Sequence, residues 1–439
     1  MQVASVSGSA NRTRKRTEKR KEDLYMEKLD LQLFATTTQT TGLAALSDEM
    51  KTYYEKRLID NAEPNLVHDQ FGDKYPIPEG SGKTIEFRRY SPLPKALTAI
   101  TEGVTPDGDN LQVSAVTATV SQYGNWIRLS DMLELAAIDR NVEQATKLLG
   151  AQAGRTLDTI TREELNGGTN VLYAPKVSGG STTEVLSRSD ITADCKLNVD
   201  VFYQAAAQLE AMNASPVDDS FVAIIHPYSA YDLMRSEEWI DCHKYAAPEY
   251  IYNGEIGKLG NIRFVKSTEA KIWGPAEIVP GYPRLTVKTA VSSATTSLVV
   301  KEVIPQNLCG SLAEPVPVYV GGAANTVTAV TYGAAGATLT LGSSISAAAA
   351  NAVVCGQGGG KDGSAVFSTL VLGANAYGTT ELENGGLEHI VKQLGYGDDP
   401  LNQRSSVGWK ATKAAKRLVE AYLVRIESGN SYSDKAKSN

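Results

Sequence analysis

Between Thr84 and Ser130 the chain carries two strand-like arms around a stretch that cannot be regular. TIEFRRY (84–90) alternates as a strand, and QVSAVTATVSQYGNWIRLS (112–130) is rich in β-branched and aromatic residues. The intervening SPLPKALTAITEGVTPDGDN is punctuated by Pro and Gly, which suits an extended loop with turns. The two arms make a long hairpin with little apolar surface of its own. An isolated two-stranded hairpin is marginal in water, so this one must lie on its own body or on a neighbouring subunit.

The root of that hairpin, GSGKT (80–84), looks like the end of a nucleotide-binding phosphate loop. Such a loop needs a first glycine five positions before Gly82, and the residue there is Ile77. Pro76 and Pro78 upstream argue against a central strand, and the strand pattern downstream leaves no helix N-terminus to face a phosphate. The match is therefore read as a turn, with Gly80 and Gly82 letting the chain swing out and Lys83 and Thr84 starting the strand.

Directly after the second arm comes the longest helical stretch, Asp131 to about Leu165. Met132, Leu135, Val142, Ala145, Leu149, Leu157 and Ile160 supply its apolar face. Asp131 with Glu134 is the expected capping box, and Asn166-Gly167-Gly168 the stop. At 1.5 Å per residue such a helix reaches about 50 Å and serves as a spine. Gly150 and Gly154 are places where it could bend.

Residues 196–275 have α/β character: a helix in VDVFYQAAAQLEAM, a buried strand FVAII, a turn and helix in HPYSAYDLMRSEEWI, then turn and strand in GEIGKLGNIRFVKSTEA. His226 before Pro227 is read as structural, since no nucleophile or carboxylate is anchored beside it. In 276–363 the runs RLTVKTAV, TSLVVKEV, PVPVYV, NTVTAVTY, ATLTL and NAVVC are short and β-type, bracketed by the linker-like GPAEIVPGYP and GQGGGKDGS. They predict a small all-β module inserted into the surrounding domain.

Charge and cysteines narrow the function classes. Seven basic residues against three acidic ones put residues 1–25 at +4, so a formal net charge of −7 leaves −11 on the rest. A body that acidic is a poor platform for gripping phosphate backbones. The basic leader is expected to be disordered, and Met26 is the expected true start, which peptides from 1–25 in the natural product would refute. Leu46, Met50, Tyr53, Tyr54 and Leu58 form one face of a short amphipathic helix. Nothing approaches the roughly 18–20 uninterrupted apolar residues of a membrane span. Cys195, Cys242, Cys309 and Cys355 are far apart and read as free thiols, and Cys242–His243 alone is a weak metal site.

Several segments in fixed order carry a family likeness. GKTIEFRRYSPLP, TEGVTPDG, QYGNWIRLSD, the helical stretch and GGTNVLYAP resemble the major capsid proteins of tailed double-stranded DNA phages, most of all the branch typified by phage N4. GEIGKLGNIRFVKSTEA, VFSTLVLGANAYG and DPLNQRSSVGWKATKAAKRLVEAYLVRIES continue the likeness, and LDLQLFA is similar to the opening of many Gram-positive phage capsid proteins. The resemblance covers residues 29–275 and 364–428.

It implies an α+β chain with the HK97-type capsid fold. Residues 1–25 are then a leader, 26–72 an N-terminal arm with its short helix, and 73–130 the hairpin called the E-loop with its base. The peripheral domain takes 131–189, with the spine helix, and 396–439, with the C-terminal strands and tail. The axial domain takes 190–275 and 364–395, and 276–363 depart from the simpler family pattern as the inserted module. The hinge and inter-subunit candidates are Gly80, Gly82, Thr84, Arg88, Arg89, Lys95, Glu102, Tyr123 and Trp126. Arg404, Trp409, Tyr422 and Arg425 are the C-terminal packing candidates.

The implied function is structural: hexamers and pentamers of this chain form an icosahedral head around the genome, assembled in the host bacterial cytoplasm and carried in the virion. The implied partners are further copies of itself, a separate scaffolding protein and a portal. Double-stranded DNA is enclosed without sequence-specific binding, no membrane is involved, and no cofactor, catalytic residue, metal or cross-link is expected. The competing readings are another oligomeric virion or surface-lattice protein and, on the near phosphate loop alone, an enzyme.

Overall fold

A computed structural model describes residues 38–39, 67–90, 93–97, 99, 102–103, 108–136, 141–178, 180–236, 238–240, 257–383, 386–392 and 401–439. The expectations for residues 1–25, for the short amphipathic helix and for Cys242–His243 lie outside them. The chain divides into two compact units. The smaller takes in Thr38–Gln39, Ile127–Val142 and Val391–Ser406, and the larger holds the remaining described residues.

In the smaller unit, strand β1 (Thr38–Gln39) runs parallel to Arg128–Leu129, and helix α1 (Asp131–Ala136) follows. The cap of α1 is Ser130, not Asp131: the Ser130 hydroxyl accepts from Leu133 N at 3.3 Å, while Asp131 N donates to Gln403 O at 3.0 Å. Asp131 is the first helical residue, and its carboxylate accepts from Met132 N at 2.7 Å. Residues 137–140 are not described, and helix α2 (Asn141–Asn166) lies in the larger unit from Glu143 onward. Its 26 residues span about 39 Å. It stops where predicted. Asn166 Nδ2 folds back onto Arg162 O at 2.8 Å, and a Cβ on Gly167 would lie 2.7 Å from Arg417 Nη1.

The larger unit is built on sheets. β2 (Asp73–Lys74) leads to a two-stranded ribbon, β3 (Thr84–Tyr90) antiparallel to β4 (Val113–Thr119), in register from Thr84–Thr119 to Tyr90–Val113. The second arm expected from the sequence is not one strand. It breaks at Val120, whose N–H closes the ribbon on Lys83 O at 2.8 Å and whose side chain is buried. Beyond it β5 (Ser121–Ser130) joins a different sheet, beside the C-terminal strand β22 (Arg404–Arg417), with β20 (Tyr377–Thr380) and β2 following in order.

The largest core surrounds a seven-stranded sheet. It comprises β6 (Val171–Tyr173), β9 (Phe221–Ile225), β10 (Lys258–Leu259), β11 (Ile262–Lys266), β12 (Ile272–Trp273), β19 (Val366–Leu372) and β23 (Leu423–Ser428). The order is β10-β11-β9-β19-β23-β6, with β12 also on β19. Every residue of β9, β19 and β23 is buried. That is why FVAII reads as a continuous rather than an alternating run, while VFSTLVL buries Ser368 and Thr369 within its own. Alternation survives in what they touch. Phe221, Ala223 and Ile225 pack with Val201, Phe202, Ala205 and Leu209 of helix α3 (Val199–Ala211). Val222 and Ile224 share the other cluster with Leu165 of α2 and Tyr377. Helix α4 (Pro227–Met234) follows β9 on the way to its parallel neighbour β11. A small hairpin, β7 (Lys176–Ser178) with β8 (Ser181–Thr183), follows β6, and β21 (Glu388–Lys392) pairs with β22.

The six short β runs of 276–363 form a second core. They are β13 (Arg284–Thr286), β14 (Thr295–Val299), β15 (Gly310–Val320), β16 (Ala323–Thr331), β17 (Thr338–Ile345) and β18 (Val353–Gly356). Their order is β13-β18-β15-β16-β17-β14. The last strand returns to the first through the Val287–Val300 bridge, with Lys288 N on Val299 O at 2.9 Å and Lys301 N on Thr286 O at 2.8 Å. The sheet thus closes into a barrel without free edges. Leu285, Leu298, Val318, Val327, Leu339 and Val354 fill it.

Candidate functional site

Among the described residues the β3–β4 ribbon is anchored at its root. At the root, Ile77, Ala118, Val120 and Ala414 are buried together, with Ile85, Phe87 and Leu382 against them. Phe87 also meets Tyr75 edge-on at 5.2 Å. The GSGKT turn closes with Ser81 N on Pro78 O at 3.1 Å, and Gly80 and Gly82 sit at φ of +81° and +88°. Those angles favour glycine. A strand follows, so the geometry of a phosphate loop is absent here.

Past the root both faces of the ribbon are open to solvent. Arg88, Arg89, Lys95 and Glu102 are exposed, with Arg88 Nε 3.2 Å from Glu86 Oε1 and Thr84 Oγ1 3.3 Å from Thr119 Oγ1. The apolar residues lie at the far end: Tyr90 is 61% exposed, Leu97 86% and Leu111 71%, with Leu93 and Val113 also exposed. Isolated exposed leucines are ordinary on protein surfaces, whereas a concentration of them marks a contact surface.

Tyr123 and Trp126 do not belong to this ribbon. Both are on β5, where backbones pack closely: a Cβ on Gly124 would sit 2.6 Å from Trp409 O, and one on Gly408 2.8 Å from Trp126 Cβ. Gln152 of α2 ties the layers by accepting from Asn125 Nδ2 at 3.0 Å and from buried Trp409 Nε1 at 3.3 Å.

The C-terminal candidates are distributed over two sheets. Arg404 opens β22 and is exposed, whereas Tyr422 is half-buried in a short turn before β23. Arg425 is buried in β23, and its Nη1 donates to Gly168 O at 2.8 Å and to Asn166 O. Its Nε lies 2.9 Å from Glu427 Oε1, an ion-pair contact without the alignment of a hydrogen bond. Burial pushes the Arg425 guanidinium below its ordinary pKa, against the pull of Glu427. Glu427 is 0% exposed and takes Arg188 Nε at 2.7 Å and Nη2 at 2.5 Å. Both arginines lie over Trp273, at 3.8 and 5.3 Å from the ring centroid.

Among the described residues, the buried His226 and the lined cavity show no catalytic arrangement. His226 caps α4, its Nδ1 accepting from Tyr228 N at 3.1 Å, and burial drives its pKa down to about 4. A cavity of about 240 Å³ is lined by Asp69, Lys74, Tyr75, Thr380, Glu381 and Lys413 among others. Within it Lys413 is committed to Asp69 at 2.6 Å. Among the described residues no group of three His, Cys, Asp or Glu could hold a metal, and no helix is long and apolar enough to cross a membrane. Cys195, Cys309 and Cys355 are free.

No protein-family model matches this sequence, and no curated protein matches it. The fold does have solved counterparts. It is similar to the capsid of cyanophage P-SCSP1u, with a TM-score of 0.52 at 12% identity over 88% of this chain and 94% of that one. It is similar too to the capsid of Ralstonia phage GP4, with a TM-score of 0.51 at 12% identity over 91% and 100%. At that identity the likeness is one of fold, and it spans almost the whole chain: this is an α+β protein with the fold of phage capsid chains.

Proposed function

We propose that this chain is the major capsid protein of a tailed double-stranded DNA phage, built to pack against copies of itself rather than to catalyse. The observation that carries the reading is a β-ribbon anchored at its root and apolar at its exposed end, on a body with the fold of phage capsid chains. An isolated ribbon gains little stability from itself, and a second subunit supplies the surface that would bury its tip. In this reading the ribbon is the E-loop of an HK97-type subunit, α2 is the spine and the barrel is an inserted surface module. Strands β9 to β12 and β19 of the seven-stranded sheet belong to the axial domain, while β6 and β23 come from the peripheral stretches. The N4-like branch is the nearest relation that the sequence motifs suggest. Hexamers and pentamers, a separate scaffolding protein, a portal and packaged DNA held without sequence readout complete the proposal.

Electron microscopy of the expressed chain, with and without a scaffolding protein, tests it. Closed shells or hexameric and pentameric capsomers are expected. Tubes or planar lattices would favour a surface-lattice protein, and a strictly monomeric chain would overturn both readings.

The turn at the ribbon root is proposed as its hinge. Gly82→Val forces a β-branched residue to positive φ, which costs about 1–2 kcal/mol, and should impair shell yield. Lys83→Ala should leave assembly intact. Equal shell yields from the two variants, by sedimentation, would remove the hinge assignment.

A further inference from the structure

The barrel hangs on two stems, 274–283 and 357–365, joined by the Ala276 N–H donated to Gln357 O at 2.9 Å. Residues 429–439 run across both. Gly429 leaves β23 in close contact, its N–H on Cys195 O at 2.8 Å and a Cβ there only 2.0 Å from Thr192 O. Buried Asn430 then folds a turn, its Oδ1 accepting from Tyr432 N at 2.7 Å and Ser433 N at 3.0 Å. Ser431 grips Asp232 of α4, its N–H donating to Oδ2 at 2.8 Å and its hydroxyl to Oδ1. The Tyr432 ring lies 4.8 Å from that of Tyr228 and 5.6 Å from that of Tyr231.

The stem contacts come next. Asp434 O accepts from Ala365 N at 2.8 Å, on the second stem, and from Arg284 Nη2 at 2.8 Å, where the first stem becomes β13. The same Arg284 nitrogen also donates to Gly363 O. Ala436 packs on Ile272, Ala365 and Phe367. The Asn439 side chain accepts from Ile272 N at 2.9 Å and donates to Ala270 O at 3.0 Å.

We infer that residues 431–439 are a strap that latches the barrel stems to the seven-stranded sheet. The barrel is held while the strap is seated and turns on its stems when the strap lifts. Three features make it a latch rather than a part of either core. The barrel has its own apolar interior and no free edge, so its folding does not call on the strap. The second stem turns at Gly358 and Gly363, with φ of +117° and +73°, and outside the strap Lys361 N on Ile191 O at 2.8 Å ties it to the body. The strap's own contacts are mainly hydrogen bonds, with the exposed Tyr432 ring against Tyr228 and Tyr231 and one small apolar seat at Ala436, the composition of an element that opens locally. The inference is independent of any assembly role.

Amide hydrogen exchange on the full chain, on a chain ending at Asn430 and on Arg284→Met tests it. Without the strap, the stem amides of Ala276, Gly360 and Lys361 should exchange at least tenfold faster. The amides of β15 in the barrel and β9 in the sheet should keep their rates. Stem amides unchanged by removal of the strap would overturn the inference, as would barrel amides accelerating together with the stems. If the shortened chain does not fold, Arg284→Met decides. Faster exchange at Ala365, whose N–H donates to the strap carbonyl of Asp434, and at the strap amide of Ser431, with an unaltered barrel, supports the latch. Unaltered exchange at both removes it.

Discussion

Glu427→Ala should weaken the seven-stranded sheet by about 3–5 kcal/mol, the range for breaking a buried ion pair from one side. The carboxylate is 0% exposed, between two guanidinium groups that both lean on Trp273. Removing it leaves Arg425 buried with its positive charge uncompensated, while Arg188, partly exposed, can turn toward water. Arg425 also holds the end of α2 through the carbonyls of Asn166 and Gly168, so the loss should spread from the strand to the helix terminus. Glu427→Gln keeps an acceptor without the charge and should cost less. The barrel has a core of its own, so the effect is best read from amide exchange in β19 and β23 rather than from a whole-chain melt. A loss under about 1 kcal/mol would show that the two arginines find other partners.

That triad marks where sequence reading stops. A carboxylate in LVRIES suggests a solvent-facing position, and only the packing above and below the sheet shows that both faces of β23 are covered. Val424 and Ile426 share a cluster with helix α3, and Leu423 shares one with Leu165 of α2. Its partner Arg188 is far away in sequence, so no local pattern links them. The break at Val120 was hidden for a related reason. VTATVSQY is uniformly β-prone, and what divides it is the tertiary bond from Val120 to Lys83, not a turn residue. Ser130 displaced Asp131 as cap because Gln403, also distant in sequence, takes the Asp131 N–H. By contrast, FVAII, the six runs of the barrel and the Asn166-Gly167-Gly168 stop were legible, because burial on both faces, short β spacing and helix termination each leave a local signature. The candidate surface was half legible. The ribbon and its glycine root could be read, but which of its residues remain exposed depends on what packs at the root, and Tyr123 and Trp126 were assigned to it only through adjacency in sequence.

Replacing Leu93 and Leu97 together by serine should abolish shell formation at concentrations where the parent assembles, while the subunit stays folded. Both side chains are already in solvent, so the free chain loses no buried contact. In a shell, each leucine that becomes buried contributes about 1.5 kcal/mol or more, so two of them raise the required concentration by about a hundredfold. The shift is large because every subunit in a closed lattice repeats the same contact. Leu97→Ser alone and Leu186→Ser form the matched pair: Leu186, outside the ribbon, is 82% exposed against 86% for Leu97, so the two remove comparable apolar surface and the second serves as the control. Light scattering against concentration separates the outcomes. Assembly by the double variant at the parent concentration would mean that the tip stays in solvent in the shell. Equal impairment by Leu97→Ser and Leu186→Ser would mean that surface hydrophobicity in general, and not the ribbon, drives association.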